Sequence, residues 1–221
     1  MNDLVEEMAE EVVNKIHSKF KNLITEKLPS PEDISIVKPE EVRKYIESNQ
    51  SRTIYEISGE ESLYDPCTQK ILINNNSTNI EHVLTHEILH FVAGKWLKEN
   101  DKMQFKAGLQ INEGYFNNNQ QIREVYNSEL NELFNDLLVS EVLNLNIGML
   151  LGDQKVGEEK ISAFKHYVVN ENIIIENLKV AYFTNNEYIF WSALEKVENL
   201  WQNMSSVNIK GLLFTGCSIK S

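Results

Sequence analysis

Two cysteines in 221 residues are too few for a disulfide framework, and Cys67 and Cys217 lie far apart in the chain. Reduced, buried thiols are the expectation. No stretch approaches the roughly 20 apolar residues that a membrane span requires. The first residues, MNDLVEEMAEEVVNKIHSKF, are acidic and lack an uninterrupted apolar run, so they do not read as a signal peptide. The chain therefore reads as cytoplasmic. Basic residues are outnumbered, 21 Lys and Arg against 33 Asp and Glu, and the net charge of −12 repels phosphate backbones. Neither nucleic acid nor membrane is an expected partner, and nothing in the sequence fixes an oligomeric state. Proline is absent after Pro66, which leaves the rest of the chain free to form long helices.

What is present suits one large domain, or one domain with a helical extension: 42% of residues are hydrophobic and 24% charged. Leu4, Met8, Val12, Ile16, Phe20, Leu23 and Ile24 recur at three- and four-residue steps, which predicts a helix over 3–27. LPSPEDISIVKP holds three of the four prolines and reads as a linker. A short helix is expected near 39–48. RTIYEIS and KILIN, rich in β-branched and aromatic residues, read as strands. Thr78 and Glu81 form a capping-box pattern that opens a helix running to about Trp96. MQFKAGLQI reads as a strand, with Gly108 marking a bulge, a close backbone approach or nothing. Further helices are expected from Ser128 to about Leu145 and near 158–169 and 186–204, whereas NIIIENLKVAYF suits strand or helix equally. The division that follows is an N-terminal helix and linker over 1–38, a core over 39–147, and a helical extension packed on it over 148–221. GLLFTGC near the end reads as a docked terminal strand or a partner surface.

The chemistry lies in LTHEILHF. His86 and His90 are four residues apart and stack on one helix face, where two imidazoles can reach one zinc ion. Glu87, turned about 100° from His86, can touch a water on that metal without ligating it. Val83, Leu84, Ile88, Leu89, Phe91 and Val92 bury the rest of the helix. The bland alternative is a core helix with two satisfied histidines. His82, one turn earlier, reads as a neighbour or cap.

Catalytic zinc takes three protein ligands and leaves one position for water. Glu113 in INEGYF and Glu132 in LNELFNDLL are the candidates for the third. Leu130, Leu133, Phe134, Leu137, Leu138 and Leu145 mark the helix that carries Glu132. On it Glu129, Glu132 and Asp136 fall within about 60° of one another beside the apolar face. Glu113 precedes Gly114 and an asparagine run, which looks like a loop.

These segments resemble the gluzincin branch of zinc metallopeptidases, in which H-E-x-x-H is completed by a glutamate on a later helix. INEGYF is similar to the L-N-E-G segment of zinc aminopeptidases, and NELFND to the N-E-x-x-x-D segment of thermolysin-like enzymes. The second likeness implies Glu132 as the ligand and Asp136 as the partner of a ligand histidine, and it is the one preferred here over Glu113. The likeness covers about residues 62–140. It implies an α+β, zincin-like fold, with a small mixed sheet, an active-site helix and added helices. It also implies one zinc per chain and hydrolysis of a peptide or protein substrate, with Glu87 as the base. Tyr115, Tyr126, His166 and Tyr167 are candidates to stabilise the oxyanion, Tyr126 foremost for its nearness to Glu132. YDPCTQKILIN resembles the edge strand over a zincin cleft, to which a peptide can add. Two other readings are a catalytically idle binding or regulatory domain and a regulatory peptidase with one protein target.

Overall fold

Alternation of side chains along a short mixed sheet and periodicity along three long helices build an α+β fold. The structure, a computed structural model, describes residues 3–25, 27–49, 62–99, 102–117, 120–126, 128–145, 172–184, 186, 188–189, 192–193 and 195–196. Helix α1 (Asp3–Phe20) buries Ala9, Val12, Ile16 and Phe20, one stripe at three- and four-residue steps. Its register on the next core helix is supported by Lys15, whose ammonium lies 2.9 Å from the Glu81 carboxylate.

The proline-rich segment is not a plain linker. Pro31–Asp33 form a 3-10 turn that Ser30 and Asp33 cap reciprocally, and strand β1 (Ile34–Val37) follows at once. Isoleucine and valine in ISIV favour an extended chain, and β1 pairs in parallel with β3 (Lys70–Asn74). Helix α2 (Pro39–Asn49) follows β1, and β2 (Ser62–Asp65) joins β3 on its other side, antiparallel. The order β1-β3-β2 therefore puts β3, the KILIN strand, in the centre rather than at an edge, and both β2 and β3 pack on the histidine helix. Period-two alternation divides the sheet between two cores. Ile71 and Ile73 face α1 and the histidine helix, while Leu63 and Leu72 pack with Val42, Phe105 and Ala107.

Helix α3 (Ile80–Ala93) starts one residue later than the capping box suggested. Asn79 is the cap, its side chain accepting from the His82 main-chain N–H. It also ends before Trp96, because the backbone at Gly94 turns extended and opens β4 (Gly94–Glu99). A Cβ at Gly94 would press on the Phe105 ring, the Tyr64 hydroxyl and the His90 carbonyl, so glycine suits the close approach. Strands β4, β5 (Lys102–Ala107), β6 (Gln110–Asn117) and β7 (Gln120–Tyr126) form an antiparallel meander in sequence order. MQFKAGLQI is thus two strands and a turn. Gly108 sits in that turn with φ of +61°, and a Cβ there would run into the Tyr182 ring and Asn131 Oδ1. Close backbone approach, one of its anticipated meanings, is the one realised.

Helix α4 (Ser128–Leu143) buries Leu133, Phe134, Leu137, Leu138, Val139 and Val142 against α3 and α1. Leu145, expected on the same face, lies beyond its end and is 41% exposed. The ambiguous NIIIENLKVAYF is helix α5 (Asn172–Phe183), with Ile175, Leu178, Ala181 and Tyr182 on its buried stripe. Lys106 caps its C-terminus, donating to the carbonyls of Ala181, Tyr182 and Thr184. Burial and the neighbouring Lys95 pull the Lys106 pKa down to about 7. Of the two cysteines, Cys67 is free and exposed in the β2–β3 turn, contrary to the expected buried thiol. RTIYEIS, the 158–169 helix, GLLFTGC and Cys217 lie outside the described residues. Of the expected 186–204 helix, the described positions 188–189, 192–193 and 195–196 are helical. No described helix is long and apolar enough to cross a membrane.

Candidate metal centre

Helices α3 and α4 pack directly, and their facing positions bring four of the singled-out side chains together. His86 Nε2 is 3.0 Å from His90 Nε2 and 3.1 Å from Glu132 Oε2, and His90 Nε2 is 3.5 Å from the same oxygen. Two nitrogens and a carboxylate oxygen, one from each of three residues, therefore converge and can hold a metal ion. Tetrahedral ligands with bonds of about 2.0–2.1 Å stand roughly 3.3 Å from one another, and the three separations bracket that value. The donor set fits such an ion without rearrangement of either helix.

The other ring nitrogen of His86, Nδ1, is 3.0 Å from Asp136 Oδ1. Asp136 is 1% exposed, so its carboxylate is held in place and fixes the ring with Nε2 turned toward the cluster. Its second oxygen is buried with no hydrogen-bond partner among the described residues. Glu132, by contrast, keeps 41% of its side-chain exposure and meets solvent beside the cluster.

Electrostatics follow from the packing. Burial alone would lower the His86 pKa, but hydrogen bonds to Asp136 and Glu132 outweigh it and raise it well above 6.5. Burial pushes Glu132 up, and the neighbouring His90 and His86 imidazoles more than reverse this, holding it well below 4.5. The raised His86 pKa favours a protonated imidazole bridging Asp136 and Glu132. A raised histidine pKa contributes stability below 6.5 that is lost as pH rises through the folded value; a depressed carboxylate pKa contributes stability above 4.5 that is lost as pH falls. Thermal melts in the presence of a chelator should therefore peak between about pH 4.5 and 6.5 and decline on both sides. Asp136→Asn should flatten the alkaline decline, because it removes one of the two carboxylates that hold the proton.

Glu87 is 9% exposed, and its carboxylate takes a hydrogen bond from the Tyr64 main-chain N–H of β2. Burial raises its pKa against the opposing pull of His86 and His90. A carboxylate so placed is a poised proton acceptor next to the cluster.

The remaining candidates are placed as follows. Glu113 is not in a loop but in the middle of β6, in register with Gln104 and Glu124, because INEGYF continues the hairpin. Tyr115 is also in β6, and Tyr126 ends β7, in register with Ile111. His166 and Tyr167 lie outside the described residues. Two residues that spacing arguments missed belong to the site's support. Asn135 Nδ2 donates to the His86 carbonyl at 3.1 Å and lies 2.9 Å from His90 Nε2. The buried Tyr182 hydroxyl donates to Asn135 Oδ1 at 3.0 Å. The one available signal was the helical position of Asn135, one turn after Asn131 and on the side of α4 that faces α3. Comparison with known proteins returns no matching family model, no matching curated protein and no matching solved structure.

Proposed function

We propose that the chain is a zinc-dependent metallopeptidase of the gluzincin type, and that its sheet and helices form a zincin-like core. The observation that carries this reading is the convergence of His86, His90 and Glu132, with Asp136 behind His86 and a buried carboxylate, Glu87, between the two histidines in sequence. A structural ion needs no base at its side, and a binding module has no use for one. Zinc held by these three residues supplies a Lewis acid and makes a water acidic enough to lose its proton near neutral pH. Glu87 accepts that proton at its carboxylate and returns it to the amine nitrogen as the peptide bond breaks. Its raised pKa suits both transfers, since burial makes the protonated form accessible. Asp136 keeps the His86 ring from turning, and the main chain of β2 at Tyr64 holds Glu87 in place. The donor that completes oxyanion stabilisation is assigned to Tyr126 on the sequence argument alone.

The test is the zinc content of the purified protein together with cleavage of unfolded casein and a mixed peptide library. Near one zinc per chain, and cleavage that a chelator abolishes and added zinc restores, is the expected result. Zinc without cleavage of any substrate would move the assignment to a metal-bearing binding or regulatory domain. Absence of zinc after reconstitution would end the metallopeptidase reading.

A further inference from the structure

Asn135 is completely buried at the point where α3, α4 and α5 meet, with partners for both amide hydrogens and for Oδ1. The His86 main-chain oxygen decides which way its amide points, because turning it over would set two oxygens against each other. Tyr182 holds that orientation from the other side by donating to Oδ1. Tyr182 is itself fixed: its ring packs on Phe134 and Phe183, Gly108 leaves room for it, and Lys106 ties down the helix end that carries it. One amide hydrogen goes to the His86 carbonyl. The other meets His90 Nε2, which must then accept.

We propose that Asn135 is a positioning residue of the metal centre, setting the tautomer of His90 so that Nε2, within 3.5 Å of His86 Nε2 and Glu132 Oε2, carries a lone pair rather than a hydrogen. Asp136 does the corresponding work for His86 from the outer ring nitrogen. For His90 the contact is at the nitrogen that would ligate, so a metal ion bound there would take the lone pair while the amide kept its bond to the His86 carbonyl. The inference rests on the reading of His86, His90 and Glu132 as ligands, but the tautomer can be read without any metal.

The experiment has two readouts on the full chain. In metal-free protein labelled with ¹⁵N-histidine, long-range ¹H–¹⁵N correlation at alkaline pH should show His90 as one neutral tautomer, with its hydrogen on Nδ1. Asn135→Leu should shift it toward the form with hydrogen on Nε2. Zinc affinity, measured against a chromophoric chelator, should fall severalfold in Asn135→Leu, because His90 must then be returned from the form with hydrogen on Nε2 before that nitrogen can ligate. Asn135→Asp keeps the shape and the oxygen for Tyr182 but cannot donate to Nε2. It should also bind zinc more weakly, although added negative charge ordinarily strengthens cation binding. Tyr182→Phe should give a smaller loss of the same sign. If Asn135→Leu does not fold, as judged by circular dichroism, Asn135→Asp and Tyr182→Phe carry the test. Hydrogen on His90 Nε2 in the wild type, or tighter zinc binding in Asn135→Asp, would overturn the proposal. The expected tautomer in a wild type that binds no zinc would leave Asn135 in this role and remove the metallopeptidase reading instead.

Discussion

Peptide cleavage by Glu87→Gln should fall by about 10²–10⁴-fold with bound zinc unchanged, the range that loss of a general base produces. Glutamine matches glutamate in shape, and its amide can still meet the Tyr64 main chain through the oxygen, so the helix and the ligands stay as they are. What is lost is the proton acceptor. The substitution also removes a buried carboxyl group whose ionised form burial disfavours, so the melting temperature should hold or rise slightly at neutral pH. The measurement pairs a cleavage assay with zinc analysis on the same sample. Loss of rate with zinc retained assigns the base; cleavage at the wild-type rate would remove Glu87 from that role, and loss of zinc would mean that Glu87 supports the ligands rather than the chemistry.

Glu132→Ala should lower zinc affinity at least about 100-fold, beyond what partners of ligands ordinarily cost, whereas Glu113→Ala should leave it unchanged. The reason is geometric. Glu132 Oε2 is within 3.5 Å of both histidine nitrogens, and no other described carboxylate joins them in a three-donor cluster. Glu113 occupies a strand whose neighbours in register are Gln104 and Glu124. Zinc analysis by equilibrium dialysis distinguishes the two variants. The same alanine change should lower the stability of the metal-free protein near pH 6, because His86 then loses one of the groups that hold its proton. Retention of zinc in Glu132→Ala with loss in Glu113→Ala would transfer the third ligand to β6.

The elements nearest the candidate site were the most legible in the sequence. Two histidines at helical spacing, apolar residues filling the remaining faces, and a second apolar helix with an acidic stripe place α3 and α4 almost unaided. Their meeting at His86, His90, Glu132 and Asp136 follows from those stripes. Strand β1 was missed because prolines on both sides dominate a local reading, whereas its pairing partner β3 is more than 30 residues away. The end of α3 was missed because Trp96 suits a helix and a strand alike, and the change shows only in the extended backbone at Gly94 and its pairing with Ala107. A hairpin over 100–120 was expected, but MQFKAGLQI was read as one unbroken strand with INEGYF in a loop after it, because Gly108 lies inside an otherwise continuous alternating run. Asn135 and Tyr182 leave little pattern beyond the place of Asn135 one turn after Asn131: one amide among many in an asparagine-rich chain becomes informative only when its three partners are known.

The tight turn between β5 and β6 touches both ligand-bearing helices. The Gly108 N–H donates to the Ala93 carbonyl at the end of α3, and the Leu109 N–H donates to Asn131 Oδ1, one residue before Glu132. During synthesis this has a temporal meaning. Glu132 follows His90 by 42 residues, which at about 5–20 residues per second is roughly 2–8 s of translation. Throughout that interval the two histidines have emerged without their carboxylate. The bracket at Gly108 and Leu109 cannot close on Asn131 until α4 has left the ribosome. The donor set is therefore completed only as the central part of the chain docks, and a nascent chain carrying LTHEILHF does not yet carry a three-donor centre.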